Sequence, residues 1–290
     1  MENIKLKAYG KINLGLDVLR RREDGYHEVK MIMQTVNIYD ELELRRRKDG
    51  LIDLKVNVPN LEADESNLVY KAIKLIKDTC GIEDGVAAYL TKNIPIAAGM
   101  AGGSADCAAA LRGMNELFQL GLSTEELCKL GKKLGADVPF CVVGGTMLAE
   151  GIGEILTPLK SVKGDYLVIA KPSIDVPTKY VYENLHVNEG NRIHPNVDIQ
   201  LEAIEEGDYN KLYNNMGNIL ESVTVEKYGV INDIKESLMS LGAKAAMMSG
   251  SGPTVFAIFD KEEDAIAARE ALAANNNFSF DTLCVTTYTE

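Results

Sequence analysis

The sequence predicts an α+β protein of two domains with a cleft between them. Its 290 residues exceed the size at which a single hydrophobic core usually stops growing. Its amino-terminal residues alternate apolar and polar with period two, the mark of a strand. Beyond residue 155, strand and helix patterns follow in the order β-α-β-β-α-β once additional helices are set aside.

From Ile4 to Val18 every even position except Gly10 is apolar: Ile4, Leu6, Ala8, Ile12, Leu14, Leu16 and Val18. This reads as two strands hinged at Gly10. The opposite face carries Lys7, Tyr9, Lys11, Asn13 and Asp17, a solvated sheet face on pattern alone. A turn at Glu23-Asp24-Gly25 leads through Tyr26-His27 into a β-like stretch over 29–44. Asp64-Glu65-Ser66-Asn67 then caps a helix with the stripe Leu68, Val69, Ala72, Ile73 and Ile76, stopped by Gly81. A strand over 87–90 delivers the chain to "PIAAGMAGGSA", followed by a helix from Ser104 to about Phe118. The capping box Ser123-x-x-Glu126 announces the next helix, which Gly135 stops. Asp137 follows, ahead of an apolar run, "FCVVGGTMLA", read as a buried strand.

Thr157-Pro158 and nearby glycines mark a domain boundary near residue 155, giving domains over 1–155 and 156–290. The second reads as strand (166–170), helices (177–185, then 199–222 in pieces, then 231–241), strand (244–248), turn (249–253), strand (255–259), helix (262–274) and strand (282–288). That order is ferredoxin-like.

Composition narrows the partners. Apolar residues make up 46% and charged residues 26%, as in ordinary globular proteins. A net charge of −12 is the wrong sign for tracking a nucleic-acid backbone. No nucleic-acid partner is expected. The first twenty residues lack a continuous apolar stretch, so no signal peptide is read. The run from Val138 to Ala149 is too short to span a bilayer, so no membrane partner is expected. Five cysteines, odd in number and without a C-x-x-C pair, argue against disulfides or zinc and for a reducing cytoplasm.

The glycine loop is a candidate anion site. It lacks the Gly-Lys-Ser/Thr of a Walker A loop, and Gly99-x-x-Gly102-Gly103 is not G-x-G-x-x-G. Glycine takes positive φ cheaply, so Gly99, Gly102 and Gly103 are read as the bends, and Ala97, Ala98 and Ala101 are not. Such bends let successive amides converge at a helix N-terminus that favours an anion. Ser104 adds a hydroxyl for a phosphate oxygen or Mg²⁺. A tight strand-to-helix connection is the competing reading.

Together, "KINLGLDV", "PIAAGMAGGSA" and "SGSGPTVF" resemble the three signature stretches of the GHMP kinase superfamily. "AYGKINLGLDVLRRREDGYHEV", "GADVPF" and "DVPTKYVYENL" narrow the resemblance to the branch acting on a cytidine-diphosphate-linked methylerythritol in the non-mevalonate isoprenoid route. The match runs from about residue 5 to residue 260. It implies an amino-terminal domain like ribosomal protein S5 domain 2, a ferredoxin-like carboxy-terminal domain, and ATP-dependent phosphorylation of the substrate's 2-hydroxyl.

By resemblance, Lys11 and Asp137 are catalytic, with Asp137 as base and Lys11 keeping it ionised. ATP is assigned to Pro95, Ile96, Ala97, Ala98, Gly99, Met100, Ala101, Gly102, Gly103, Ser104 and Ala105, with Asn67 lining the adenine pocket or simply capping its helix. Substrate is assigned to Asn13, Tyr26, His27, Thr178 and Tyr182, with Tyr180 an alternative to Tyr182 as the ring stacked on cytosine. Lys92 approaches the nucleotide or, by default, is a surface lysine. Gly250 and Gly252 lie beside substrate phosphates or form only a hairpin turn. The loop departs from the glycine-richest family versions at its alanines 97, 98 and 101. No carboxylate stands out as a metal ligand, so Mg²⁺ is expected to arrive with ATP, held by phosphates and water. The chain is expected to act as a monomer or weak homodimer. Other GHMP kinases, acting on mevalonate or homoserine, and a non-catalytic nucleotide binder are the rival readings.

Overall fold

The computed structural model describes residues 2–59, 61–162, 164–187 and 194–289. Two long strands open the chain, β1 (Asn3–Arg21) and β2 (His27–Arg47). Then come β3 (Ile52–Val56), α1 (Leu68–Cys80), β4 (Gly85–Thr91), α2 (Gly102–Leu117), α3 (Thr124–Lys132), α4 (Val138–Val143), β5 (Thr146–Gly151) and β6 (Ile155–Pro158). The remainder runs β7 (Tyr166–Pro172), α5 (Thr178–Glu183), α6 (Val197–Glu206), α7 (Tyr209–Asn214), β8 (Gly217–Asn218), α8 (Glu221–Lys227) and α9 (Val230–Ser240). It ends with β9 (Ala245–Met248), β10 (Val255–Phe259), α10 (Glu262–Ala273) and β11 (Phe280–Thr287).

The chain divides into two compact units. One holds Met1–Gly10, Ile38–Ile96 and Ala101–Gly144; the other holds Lys11–Asn37, Ala97–Met100 and Gly145–Glu290. In the first, β4 pairs antiparallel with β2 from Glu41↔Thr91 to Arg47↔Gly85 and parallel with β3 from Ile52↔Val86 to Val56↔Leu90. Helix α1 forms as its caps predict. Asn67 Oδ1 accepts from Val69 N–H, and Gly81 closes the helix in the left-handed region at φ 67°. Its stripe of Val69, Ala72, Ile73 and Ile76 is fully buried, each of the larger three contributing about 1.5–3 kcal/mol. Alanines fill α2, and Ala105, Ala108, Ala109 and Ala110 are all buried. A helix apolar on every side belongs in a core, and α2 packs against α1, α3 and α4. The capping box at Ser123 and Glu126 is complete in both directions.

In the second unit, β5 pairs antiparallel with β2 from Val29↔Gly151 to Gln34↔Thr146, and β6 pairs with β5. Strand β8 runs parallel to β1 at Gly15↔Gly217 and Leu16↔Asn218. A separate four-stranded antiparallel sheet has the order β11-β7-β10-β9. Helices α9 and α10 pack on it, and every residue of β10 is buried.

Three sequence expectations are corrected. β1 is one continuous strand through Gly10, not two. Its odd positions Lys11, Asn13 and Asp17 are buried, not solvated, so from Lys11 to Val18 both faces of the strand are covered. The run after Asp137 is a helix, α4, before β5 begins at Thr146. A short apolar run does not distinguish strand from helix by period. Pro139 suits a first helical turn, and Gly144 at φ 75° ends it.

Candidate active site

β1 brings Lys11 and Asn13 to one face. Lys11 is only 5% exposed, and its Nζ donates to Asn13 Oδ1 at 2.8 Å. Its backbone N–H donates to Met100 O at 3.1 Å, tying the strand to the glycine loop. Asn13 Nδ2 reaches Met31 Sδ at 3.4 Å. Among the described residues, no carboxylate of its own unit pairs with Lys11. An amine buried this deeply needs partners, and Asn13 Oδ1 takes only one of its donors.

The loop takes a different path from the one its glycines suggest. Ala97, Gly99 and Ala101 adopt positive φ at 52°, 71° and 56°. Gly102 and Gly103 instead open α2, which starts two residues before Ser104. An alanine in the left-handed region costs roughly 1–2 kcal/mol and persists only where its surroundings dictate it. Gly102 is glycine for room: a Cβ there would lie 3.1 Å from Ile94 Cγ2 and 3.3 Å from Lys92 Nζ. Gly99 meets both demands, since a Cβ there would overlap the carbonyl oxygen of Ser249.

Ser249 begins the turn between β9 and β10. Its Oγ donates to Gly99 O at 2.9 Å, its N–H to Thr254 O at 2.8 Å, and its own carbonyl accepts from Gly252 N–H at 2.9 Å. Gly250, at φ 56°, presses on the loop so closely that a Cβ would lie 3.0 Å from Gly99 O and 3.4 Å from Lys11 Nζ. Loop, turn and buried lysine therefore converge on one point. The turn reading of Gly250 and Gly252 holds: both sit at positive φ between β9 and β10.

Ala101 caps α2 without a side-chain hydrogen bond, and the helix's own bonding starts with Ala105 N–H to Ala101 O at 2.8 Å. Among the described residues no loop acceptor meets the amides of Gly102, Gly103 and Ser104, at a helix end where the dipole favours negative charge. Ser104 is half-buried beside them, whereas the side chains of Ala98, Met100 and Ala105 are core and Pro95 and Ile96 are more open. A phosphate group fits this cradle of open amides.

Lys92 is not a surface residue. Its ammonium is buried between Asp40 and Asp106, at 2.6 Å from Asp106 Oδ2. Asp40 Oδ1 also accepts the N–H groups of Asn93 and Ile94. Burial, opposed by the Lys92 ammonium and reinforced by Asp40, pushes the Asp106 carboxyl up to about 8. These three side chains join β2, the end of β4 and the first turns of α2. The two aspartates carried no motif to reveal them.

Asp137 occupies the N-cap position of α4 at φ −81° and ψ −12°, yet its side chain makes no capping bond. It is half-buried, and Gly131 and Gly135 admit Val138 directly beside it. A carboxylate spared from capping suits a base. Asn67, in contrast, is committed to its helix: Oδ1 accepts from Val69 N–H at 2.9 Å and Nδ2 donates to Glu62 O at 2.8 Å.

Of the predicted substrate residues, Thr178 and Tyr182 lie on α5, Tyr26 and His27 at the β1–β2 turn, and Asn13 within β1. His27 and Tyr182 face each other with ring centroids 5.1 Å apart and planes tilted by 40°. Burial, then the Arg21 charge, lower the His27 pKa, leaving a neutral imidazole with one donor and one acceptor. Tyr26 is 59% exposed beside them in sequence. Thr178 and Ser251 share a hydrogen bond at 2.8 Å, one helical turn before Tyr182. Tyr180 points elsewhere, with Lys227 Nζ 3.7 Å above its ring. The α5 geometry thus pairs Tyr182, not Tyr180, with His27.

Family models for the GHMP kinases N terminal domain and GHMP kinases C terminal match residues 67–145 and 200–277. Fold and loop together define a kinase of the GHMP class. The chain is 52% identical over 265 residues to 4-diphosphocytidyl-2-C-methyl-D-erythritol kinase of Lachnoclostridium phytofermentans, covering 91% of each. It is 50% identical over 272 residues to the enzyme of that name from Acetivibrio thermocellus, covering 94% of this chain and 95% of the relative. A crystal structure of 4-(cytidine 5'-diphospho)-2C-methyl-D-erythritol kinase superposes with a TM-score of 0.83 at 31% identity, covering 99% of this chain and 100% of that one. The chain belongs to the 4-diphosphocytidyl-2-C-methyl-D-erythritol kinase family.

Proposed function

We infer that this chain catalyses ATP-dependent phosphorylation of the 2-hydroxyl of 4-diphosphocytidyl-2-C-methyl-D-erythritol, giving the 2-phosphate and ADP in the non-mevalonate route to isoprenoid precursors. The observation that carries this is near-complete coverage by relatives of that name at about half identity. The facing His27 and Tyr182 rings, suited to a pyrimidine base, support it.

The loop from Pro95 to Ala105 is assigned to the ATP phosphates, which its bends at Ala97, Gly99 and Ala101 would meet with backbone amides. Three or four such charge-assisted hydrogen bonds, at about 1.5–3 kcal/mol each, outweigh the field of a protein with net charge −12. Lys11 supplies the cation that the loop lacks, steadying charge on the transferring group. Asp137 receives the proton of the acceptor hydroxyl. Asn13 orients that hydroxyl and holds the Lys11 ammonium, while Tyr26, His27, Thr178 and Tyr182 select the cytidine. Asn67 borders the adenine through its helix start. Mg²⁺, carried by the ATP phosphates, supplies charge neutralisation when bound.

The sheet order β11-β7-β10-β9 supports a ferredoxin-like carboxy-terminal domain over 156–290, with an S5-domain-2-like, ATP-binding domain over 1–155. Among the described residues, no helix is long and apolar enough to cross a membrane. We take the enzyme to work in the cytoplasm on a small molecule, as a monomer or weak homodimer and without nucleic-acid or membrane partners. An acceptor panel tests the function: ADP release is expected with the cytidine-diphosphate substrate. Turnover on mevalonate or homoserine, with none on that substrate, would overturn it.

A further inference from the structure

Asn218 lies outside every motif so far assigned, yet it braces the turn at the site. It ends β8, opposite Leu16 on the strand that carries Lys11 and Asn13. The residue is 7% exposed. Its Nδ2 donates to Met248 O at 2.9 Å and to Gly250 O at 2.7 Å, and its Oδ1 accepts from Leu220 N–H at 3.0 Å. A carboxamide has two N–H donors, and both are committed to the carbonyls on either side of Ser249.

The peptide unit is planar and trans, so drawing the Gly250 carbonyl to Asn218 turns the N–H of Ser251 the opposite way. Drawing in the Met248 carbonyl fixes the plane ahead of Ser249 in the same manner. Glu221 secures the same segment by accepting Met248 N–H at 2.7 Å through Oε1, while its Oε2 pairs with Lys235 at 2.5 Å. The turn fixed in this way lends Ser249 Oγ to the Gly99 carbonyl and packs Gly250 against Gly99 and the Lys11 ammonium.

We propose that Asn218 is a positioning residue for phosphoryl transfer, setting the peptide planes of the 249–252 turn and thereby the placement of the Gly99 bend and Lys11 Nζ. This rests on the reading of Lys11 and the loop as the reacting site. A misplacement near 1 Å at such a site can cost about 100-fold in rate.

The test compares Asn218→Asp, Asn218→Ala and Asn218→Ser with Lys235→Met, which removes the ion pair behind Glu221 but leaves its bond from Met248 N–H and all three Asn218 bonds in place. Turnover is read per folded molecule, with the folded fraction taken from circular dichroism. The Asn218 variants are expected to lose about 10- to 100-fold in kcat, with both KM values within about threefold of wild type. Lys235→Met is expected to keep kcat within about twofold despite any loss of thermal stability. Wild-type kcat in a folded Asn218 variant, equal losses in Lys235→Met, or failure of all three Asn218 variants to fold would overturn the proposal. Lys11→Met separates the two readings: if it keeps wild-type turnover, the site assignment itself fails, whereas its loss beside active Asn218 variants rejects only the role of Asn218.

Discussion

At Gly99 the left-handed backbone and the Ser249 carbonyl make the same demand, and glycine alone satisfies both. Gly99→Ala therefore adds both a left-handed penalty of roughly 1–2 kcal/mol and a clash with backbone that has no rotamer to yield. The expected outcome is a folded protein whose KM for ATP rises at least about tenfold, a change of about 1.4 kcal/mol. Unchanged ATP kinetics would show that the loop path does not govern nucleotide binding. At this scale the sequence was legible in part. Residue type marked Gly99 correctly, but it also suggested Gly102 and Gly103 as bends where the chain bends at Ala97 and Ala101. A left-handed alanine is imposed by distant packing, which no local propensity records. Asn67, Ser123 and Glu126 were readable because caps are local chemistry.

At the scale of elements, the buried Lys92, Asp40 and Asp106 cluster joins the first turns of α2 to β2 and to the end of β4. The folded-state carboxyl of Asp106 near 8 stands above the ordinary value of 3.8. The native chain therefore keeps a proton that the unfolded chain releases. Linkage makes this contribution fullest below the unfolded value and lost as pH rises from about 4 to about 8. Asp106→Asn keeps the shape of the protonated acid and removes that slope. Urea midpoints at pH 5 and pH 8 should fall with pH in the wild type and fall less in the variant. Identical slopes would contradict the assignment. None of this cluster was legible, because its members are 52 and 14 residues apart along the chain and only the sheet and helix packing bring them together. α4 was misread for a related reason: four apolar residues carry no period, and Pro139 with Gly144 decides the matter.

Over the whole molecule, the net charge of −12 leaves anion binding to local geometry. In one unit the loop segment Ala97–Met100, the 249–252 turn and Lys11 meet; Asp137 belongs to the other unit. Helices α1 and α10 and the strand character of β1 were legible from their patterns, though not the continuity of β1 or the burial of its second face, and so was the order of the carboxy-terminal strands along the chain. Strand β8 and the role of Asn218 were not, since two paired residues leave no pattern and their meaning arises only from pairing with Gly15 and Leu16. The central proposal is that Asp137 acts as the base of the phosphoryl transfer. Steady-state kinetics of Asp137→Asn on the cytidine-diphosphate substrate, with ATP affinity measured in parallel, test it most directly. The account predicts a loss of about 100- to 10,000-fold in kcat, the range a general base supplies, with ATP affinity little changed; near wild-type turnover would contradict it.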